Sequence, residues 1–135
     1  MSHHQVLIVG GGSAGLAVGA LLRNHQDAPE VTVVDPTEKH YYQPIWTLVG
    51  AGVFPKEISE RAEADYIPEG AEWIKQAVAS FDPDNNSITL TNGETHTYDV
   101  LVVAAGIQID WNKIPGLEES IGKPGSGVCS NYSYD

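Results

Sequence analysis

One stretch constrains the fold more than any other: Val6–Gly15, which reads Val-Leu-Ile-Val-Gly-Gly-Gly-Ser-Ala-Gly. Val6 to Val9 are four aliphatic residues in a row, the pattern of a strand buried on both faces of a parallel sheet. Gly10, Gly12 and Gly15 follow at G-x-G-x-x-G spacing, and Leu16-Ala17-Val18-Gly19-Ala20-Leu21-Leu22-Arg23 continues as a small-residue, apolar helix. In that setting each glycine has a task. Gly10 turns the chain sharply out of the strand, and Gly12 leaves the backbone bare where a pyrophosphate approaches. Gly15 lets helix and strand pack closely, while the helix N-terminus offers free N–H groups to the anion. Val31-Thr32-Val33-Val34 reads as a second strand ending in Asp35, 20 positions after Gly15. An acidic residue there meets the ribose hydroxyls of a dinucleotide. Strands over 5–10 and 31–35 with a helix over 14–25 therefore form a βαβ unit with a right-handed crossover.

Beyond it the pattern changes. Pro36–Phe54 is rich in aromatics and glycines and reads as a loop with a short buried helix around Ile45–Val49. Tyr41, Tyr42 and Trp46 suit core packing; Gln43 and Pro44, polar and rigid in an apolar stretch, suit a ligand wall. Lys56–Asp65 reads as a short helix whose Ser59–Glu63 run carries solvated charges. Trp73–Phe81, Ser87–Thr91 and Glu94–Tyr98 are strand-like. The turn Asp82-Pro83-Asp84-Asn85-Asn86 and the hairpin signal Asn92-Gly93 separate them. Together they predict an antiparallel β-meander over residues 73–98. Asp99–Val103 returns to the buried parallel type and ends in Ala104-Ala105-Gly106, small residues past which a ligand can approach the backbone.

The fold class is α/β: a Rossmann-like FAD-binding domain, with a parallel sheet and an inserted antiparallel meander. A plain NAD domain brings its third parallel strand within about one βα unit of the second. Here loop, turn and meander intervene first, an order that favours FAD over NAD. At 135 residues the chain is one domain at most. A formal charge of −11 argues against nucleic acid or an anionic membrane surface as the main partner. The single cysteine, Cys129, excludes an internal disulfide framework. The first strand starts so early that no signal peptide fits ahead of it, and no apolar run reaches about 18 residues. A cytoplasmic location is the expectation. His3 and His4 read as a frayed terminus rather than a metal pair, and no metal site is expected.

From His40 to Gly52 the chain reads His-Tyr-Tyr-Gln-Pro-Ile-Trp-Thr-Leu-Val-Gly-Ala-Gly. This run resembles the segment after the second strand in sulfide:quinone oxidoreductases, especially those of mitochondria and related bacteria. Gly116-Leu117 and Ser130-Asn131-Tyr132-Ser133 resemble the same family, and the resemblance covers essentially the whole chain. It implies an FAD-dependent oxidoreductase of the pyridine nucleotide-disulfide superfamily that passes electrons from sulfide through FAD to quinone. By position it implies that Gly10, Gly12, Ser13, Ala14 and Gly15 surround the FAD pyrophosphate. Asp35, where many relatives have Glu, would bind the adenosine ribose, and Gln43 would contact the flavin side. Val78 would meet the adenine through its backbone, and Ala105 and Gly106 would line the phosphate–ribose path.

The family's two redox cysteines lie well downstream of Ser130–Ser133. Its second nucleotide-fold domain, the return of its FAD domain and its quinone site also fall outside these residues. The resemblance thus implies an N-terminal part of an FAD/NAD(P)-binding domain, inactive alone. Sulfide and quinone would be substrates of the full enzyme, which would sit peripherally on the inner membrane through the part not present. Cys129 is the one catalytic candidate, standing where some relatives carry an additional cysteine. It reads more readily as an ordinary loop residue, because a reactive thiol needs a lowered pKa. Two other readings stay open. One is a flavoprotein like the type II NADH:quinone oxidoreductases, which share the FAD fold without paired redox cysteines. The other is a non-catalytic dinucleotide-binding module.

Overall fold

The computed structural model describes Ser2–Tyr134 and divides into two units. One comprises the residues up to His40 together with Arg61–Gly106; the other comprises Tyr41–Glu60 and the residues from Ile107 onward. The elements run β1 (Ser2–Val9), α1 (Ser13–Arg23), β2 (Val31–Val34), β3 (Lys39–Tyr41), α2 (Trp46–Gly50), β4 (Glu60–Ala62), β5 (Glu72–Ile74), β6 (Val78–Asp82), β7 (Ser87–Leu90), β8 (Thr95–Val103) and α3 (Leu117–Ser120). Six strands form one sheet in the order β5-β2-β1-β8-β7-β6, and β3 and β4 form a two-stranded sheet of their own. Strands β5, β2, β1 and β8 are parallel. Strands β8, β7 and β6 continue antiparallel.

β1 lies inside the sheet with side chains buried on both faces, which is why its sequence does not alternate. Val6 and Ile8 pack with Val31 and Val33 against Val18, Leu22 and Ile67. Leu7 and Val9 pack on the opposite face with Val34, Ile88, Leu90 and Tyr98. Each such aliphatic side chain contributes about 1.5–3 kcal/mol by leaving water. α1 can lie close because Gly19 faces the sheet: a Cβ there would stand 3.2 Å from Pro68 Cγ and 3.5 Å from Ile8 Cδ1. The helix ends at Asn24, whose backbone N–H donates to Ala20 and Leu22 carbonyls. Arg23 then fixes the exit by donating from Nη1 to the Pro29 carbonyl at 3.0 Å.

Several expectations need correction. Trp73–Phe81 is not one strand of a meander. Glu72–Ile74 pairs parallel with β2 at one edge of the sheet, and Val78–Asp82 forms the opposite edge. A tight turn separates them, with the Gln76 N–H on the Ile74 carbonyl at 2.9 Å. Glu94–Tyr98 and Asp99–Val103 are not two strands either. They are one, because β8 pairs antiparallel with β7 through Thr95–Thr97 and parallel with β1 along most of its length. The hairpin β7–β8 and the Asp82–Asn86 turn stand as expected; Asn86 adopts the left-handed conformation that closes the latter.

Lys56–Asp65 is not a helix. It is a 3-10 turn at Lys56–Ser59, then β4, then a second 3-10 turn at Glu63–Asp65. Ser59 is fully buried, donating to the Lys56 carbonyl at 2.7 Å and accepting the Trp46 indole N–H at 2.9 Å. Those bonds tighten the first turn and draw it onto Trp46 rather than letting it propagate. Glu63, read as solvated, is 1 % exposed. Trp46 is buried as expected, but Tyr42 is 56 % exposed. His3 and His4 do not fray, for both lie in β1 and His4 is buried.

Candidate dinucleotide site

The site begins where β1 stops. Gly10 donates its N–H to the Val34 carbonyl at 2.9 Å and takes φ +109°, a left-handed conformation that side chains disfavour. A Cβ on it would also overlap the Ala104 carbonyl. Gly15 is buried one turn into α1, where a Cβ would overlap the Gly10 carbonyl oxygen. Gly12 differs from both. It caps α1 with extended backbone, it is exposed, and a Cβ on it would meet nothing within 4 Å. Two glycines therefore make the turn possible, and the third leaves an open approach to the backbone. Ser13 and Ala14, both exposed, form the first turn of α1. No side chain caps that turn and none of its residues is acidic. Its N–H groups have no intrahelical acceptor and point toward whatever lies over Gly12, a ready position for an anion.

Asp35 ends β2 beside this turn. Its Oδ2 accepts the Gly11 N–H at 2.6 Å, and its Oδ1 accepts the Thr37 N–H at 2.8 Å and the Thr37 hydroxyl. A carboxylate oxygen accepts two hydrogen bonds, so Oδ2 keeps capacity for one further donor, such as a ribose hydroxyl. Ala105 and Gly106 follow β8, exposed, with Gly106 at φ +74°. The neighbouring Ala104 donates its N–H to the Val9 carbonyl at 2.7 Å, which ties this segment to the end of β1. Val78 opens β6, half-buried against the core on the meander face, and a register shift follows it.

Gln43 belongs to the other unit. It opens a 3-10 turn and lines a concavity of about 330 Å³ with Gln108, Trp111 and Tyr132. Cys129 lies in the same unit, exposed and free.

Sequence reasoning missed one residue here. Glu63 lies behind the glycine turn: a Cβ on Gly11 would overlap Glu63 Oε1 and stand 3.2 Å from Asp35 Cγ. Its Oε2 lies 3.2 Å from His40 Nδ1, and the His40 ring stacks on Tyr66 with centroids 5.0 Å apart. Burial pushes the Glu63 carboxyl above the usual range; His40 opposes that shift and the Asp35 charge adds to it. Nothing in the sequence marks Glu63, because one glutamate among the charges of Glu60–Asp65 looks like any solvated residue.

A model of the pyridine nucleotide-disulphide oxidoreductase family matches residues 4–131. The chain is similar to the mitochondrial sulfide:quinone oxidoreductase of Dictyostelium discoideum, 46 % identical over 97 % of this chain and 29 % of that protein. The corresponding protein of Mus musculus is 42 % identical over 98 % of this chain and 29 % of its own. The chain thus spans less than a third of the length of these curated relatives. Among solved structures, the sulfide:quinone oxidoreductase of the hyperthermophilic bacterium Aquifex aeolicus superposes with a TM-score of 0.68 at 28 % identity, covering 81 % of this chain and 25 % of that one. A parallel sheet entered through a glycine turn and matched over nearly its whole length leaves one conclusion: the chain belongs to the pyridine nucleotide-disulphide oxidoreductase family.

Proposed function

We propose that this chain is the N-terminal part of the FAD-binding domain of a flavoprotein that passes electrons from sulfide to quinone. The observation that carries the reading is the 46 % identity to a sulfide:quinone oxidoreductase over 97 % of the chain. The residues present fit a dinucleotide: an uncapped helix start, a glycine with open space at its Cβ, and a carboxylate with a spare acceptor position. On this reading Gly10, Gly12, Ser13, Ala14 and Gly15 hold the pyrophosphate of FAD and Asp35 the adenosine ribose. Val78 meets the adenine, Ala105 and Gly106 border the phosphate–ribose path, and Gln43 faces the flavin. A bound flavin supplies two-electron acceptance; these residues bind and orient it.

The chain itself has one cysteine. Sulfide oxidation through a disulfide needs two sulfur atoms in reach of each other. We therefore assign the sulfur chemistry, the quinone site, the second nucleotide-fold domain and any peripheral seat on the inner membrane to the remainder of the enzyme. Cys129 has no catalytic role in this scheme. Among the described residues no helix is long and apolar enough to cross a membrane.

The test has two arms. Full-length protein should purify yellow and reduce a soluble quinone with sulfide, and Gly12→Val should purify colourless. Residues 1–135 with added FAD should show no sulfide-dependent quinone reduction above free flavin. Retained flavin in Gly12→Val sinks the site, and turnover by residues 1–135 brings Cys129 back into the chemistry.

A further inference from the structure

Glu63 is the one buried side-chain oxygen site among the described residues left without a hydrogen-bond partner, at Oε1. It lies under the turn that starts the proposed dinucleotide site. Leaving a buried acceptor unpaired is unfavourable, and more so when it is charged. Yet the local structure holds it firmly. The Glu63 N–H donates to the Glu38 carbonyl at 2.9 Å, Oε2 meets His40, and Tyr66 stacks on the His40 ring. The Glu38 side chain turns elsewhere, to Lys75 at 3.0 Å. The titratable groups facing the Glu63 carboxyl are therefore His40 from β3, with Tyr66 stacked on its ring, and Asp35 from the end of β2.

We propose that Glu63 and His40 form a proton-holding pair beneath Gly11 that positions the glycine turn and makes its affinity for an anionic dinucleotide fall as pH rises. The proposal rests on the dinucleotide reading above. While the Glu63 carboxyl holds its proton, Asp35 is the net negative charge beside Gly11. Once the proton leaves, a second carboxylate stands next to Asp35, on the side from which a pyrophosphate must be held. Coulomb repulsion in this poorly solvated position then opposes the ligand. By linkage, binding retains the proton, so dinucleotide affinity and the protonation of the pair rise together. The same geometry explains why the first variable position of the fingerprint is a third glycine. A Cβ on Gly11 would overlap Glu63 Oε1 and crowd Asp35 Cβ at 3.1 Å.

The experiment measures ADP and FAD binding to the full-length apoprotein across pH 5 to 9, for wild type and for Glu63→Gln, which keeps the shape and removes the proton. Wild type should lose affinity with rising pH, by at most about tenfold per pH unit through the titration of the pair. Glu63→Gln should bind with that slope removed. Equal slopes in the two proteins overturn the proposal and leave the dinucleotide reading standing; no binding to either at any pH overturns both. A second pair of variants checks the positioning role. Gly11→Ala should weaken ADP binding less in a Glu63→Ala background than in wild type, and an equal loss in both overturns the steric link.

Discussion

The two ends of the six-stranded sheet each bury a histidine near a carboxylate, and they differ in whether the network closes. At the N-terminal ends of the strands it closes. His96 Nδ1 lies 2.8 Å from His4 Nε2, His4 Nδ1 lies 2.9 Å from Thr32 Oγ1, and the Thr32 hydroxyl donates to Glu72 Oε2 at 3.3 Å. The partners assign the protons: since Thr32 donates to Glu72, it accepts from His4 Nδ1–H, and neutral His4 accepts from His96. The chain links β8, β1, β2 and β5, one residue each, across the sheet. At the C-terminal ends, by contrast, Glu63 Oε1 is unpartnered, Gly12 is open and the first turn of α1 is uncapped. Completed polar networks hold strands together; the open Gly12 and the uncapped start of α1 leave capacity for a ligand.

The largest expected effect separates glycines within the open end. Gly15→Val would drive a Cβ into the Gly10 carbonyl, and the cost should reach about 3 kcal/mol, a large share of what a domain has. Gly12→Val meets no neighbour and should change stability by less than about 0.5 kcal/mol while losing FAD. Urea midpoints and flavin content of the two variants check this. Equal destabilisation would mean that Gly12 serves the fold and not a ligand.

Next in size is Asp35→Ala. It removes a charged acceptor from the Gly11 N–H and from the proposed ribose position, each interaction of about 1.5–3 kcal/mol. FAD affinity should fall by that order in equilibrium dialysis. If affinity is unchanged but the protein melts lower, the Asp35 carboxylate is only a brace for the turn.

The closed end gives a smaller, pH-dependent effect of opposite sign to that at Glu63. Burial holds His4 below its ordinary pKa of 6.5; neighbouring His96 lowers it further and Glu72 opposes. The unfolded chain therefore takes the proton first. The stability contribution is present above about pH 6.5 and is lost as pH falls through the lower folded value. For Glu63, whose folded pKa is raised, the contribution is full below its ordinary value of 4.5 and is lost as pH rises through the folded value. Unfolding free energies of His4→Gln and Glu63→Gln against pH should lose opposite limbs of the wild-type profile. Loss of the same limb in both breaks the comparison.

How much of this was legible follows the physics of each part. The run Val6–Val9, the glycine spacing and Asp35 are local signals with local causes, and they placed β1, α1, β2 and the turn. The pairing of Glu72–Ile74 with β2 was not legible, because a three-residue strand at a sheet edge is selected by its partner and not by its own pattern. The single strand β8 was hidden because it changes neighbours midway, antiparallel to β7 and parallel to β1, without a break in its own backbone. His4 read as part of a frayed terminus because its burial depends on His96, 92 positions away in sequence. Glu63 was unreadable for the same reason: its environment is built by Gly11, Asp35 and His40, none of them within 20 residues of it in the chain.

The smallest expected effect tests whether charge or burial separates the two ends. Glu72 closes the His4 network as Glu63 meets His40, and both are glutamates beside a histidine. Yet the Glu72 side chain is 63 % exposed and lies 3.8 Å from His4 Nδ1, while the Glu63 side chain is 1 % exposed. Water screens the first pair, and exposed pairs of this kind contribute about 0–1 kcal/mol. Glu72→Gln should therefore shift stability at pH 7 by less than about 0.5 kcal/mol, since the amide oxygen still accepts from Thr32. Its visible trace should lie in acid. Without the carboxylate that opposes the shift, the folded-state pKa of His4 falls further, and the loss of stability continues to lower pH than in wild type. A full pH profile identical to wild type would show that the Glu72 charge does not act on His4, and that Thr32 alone closes the network.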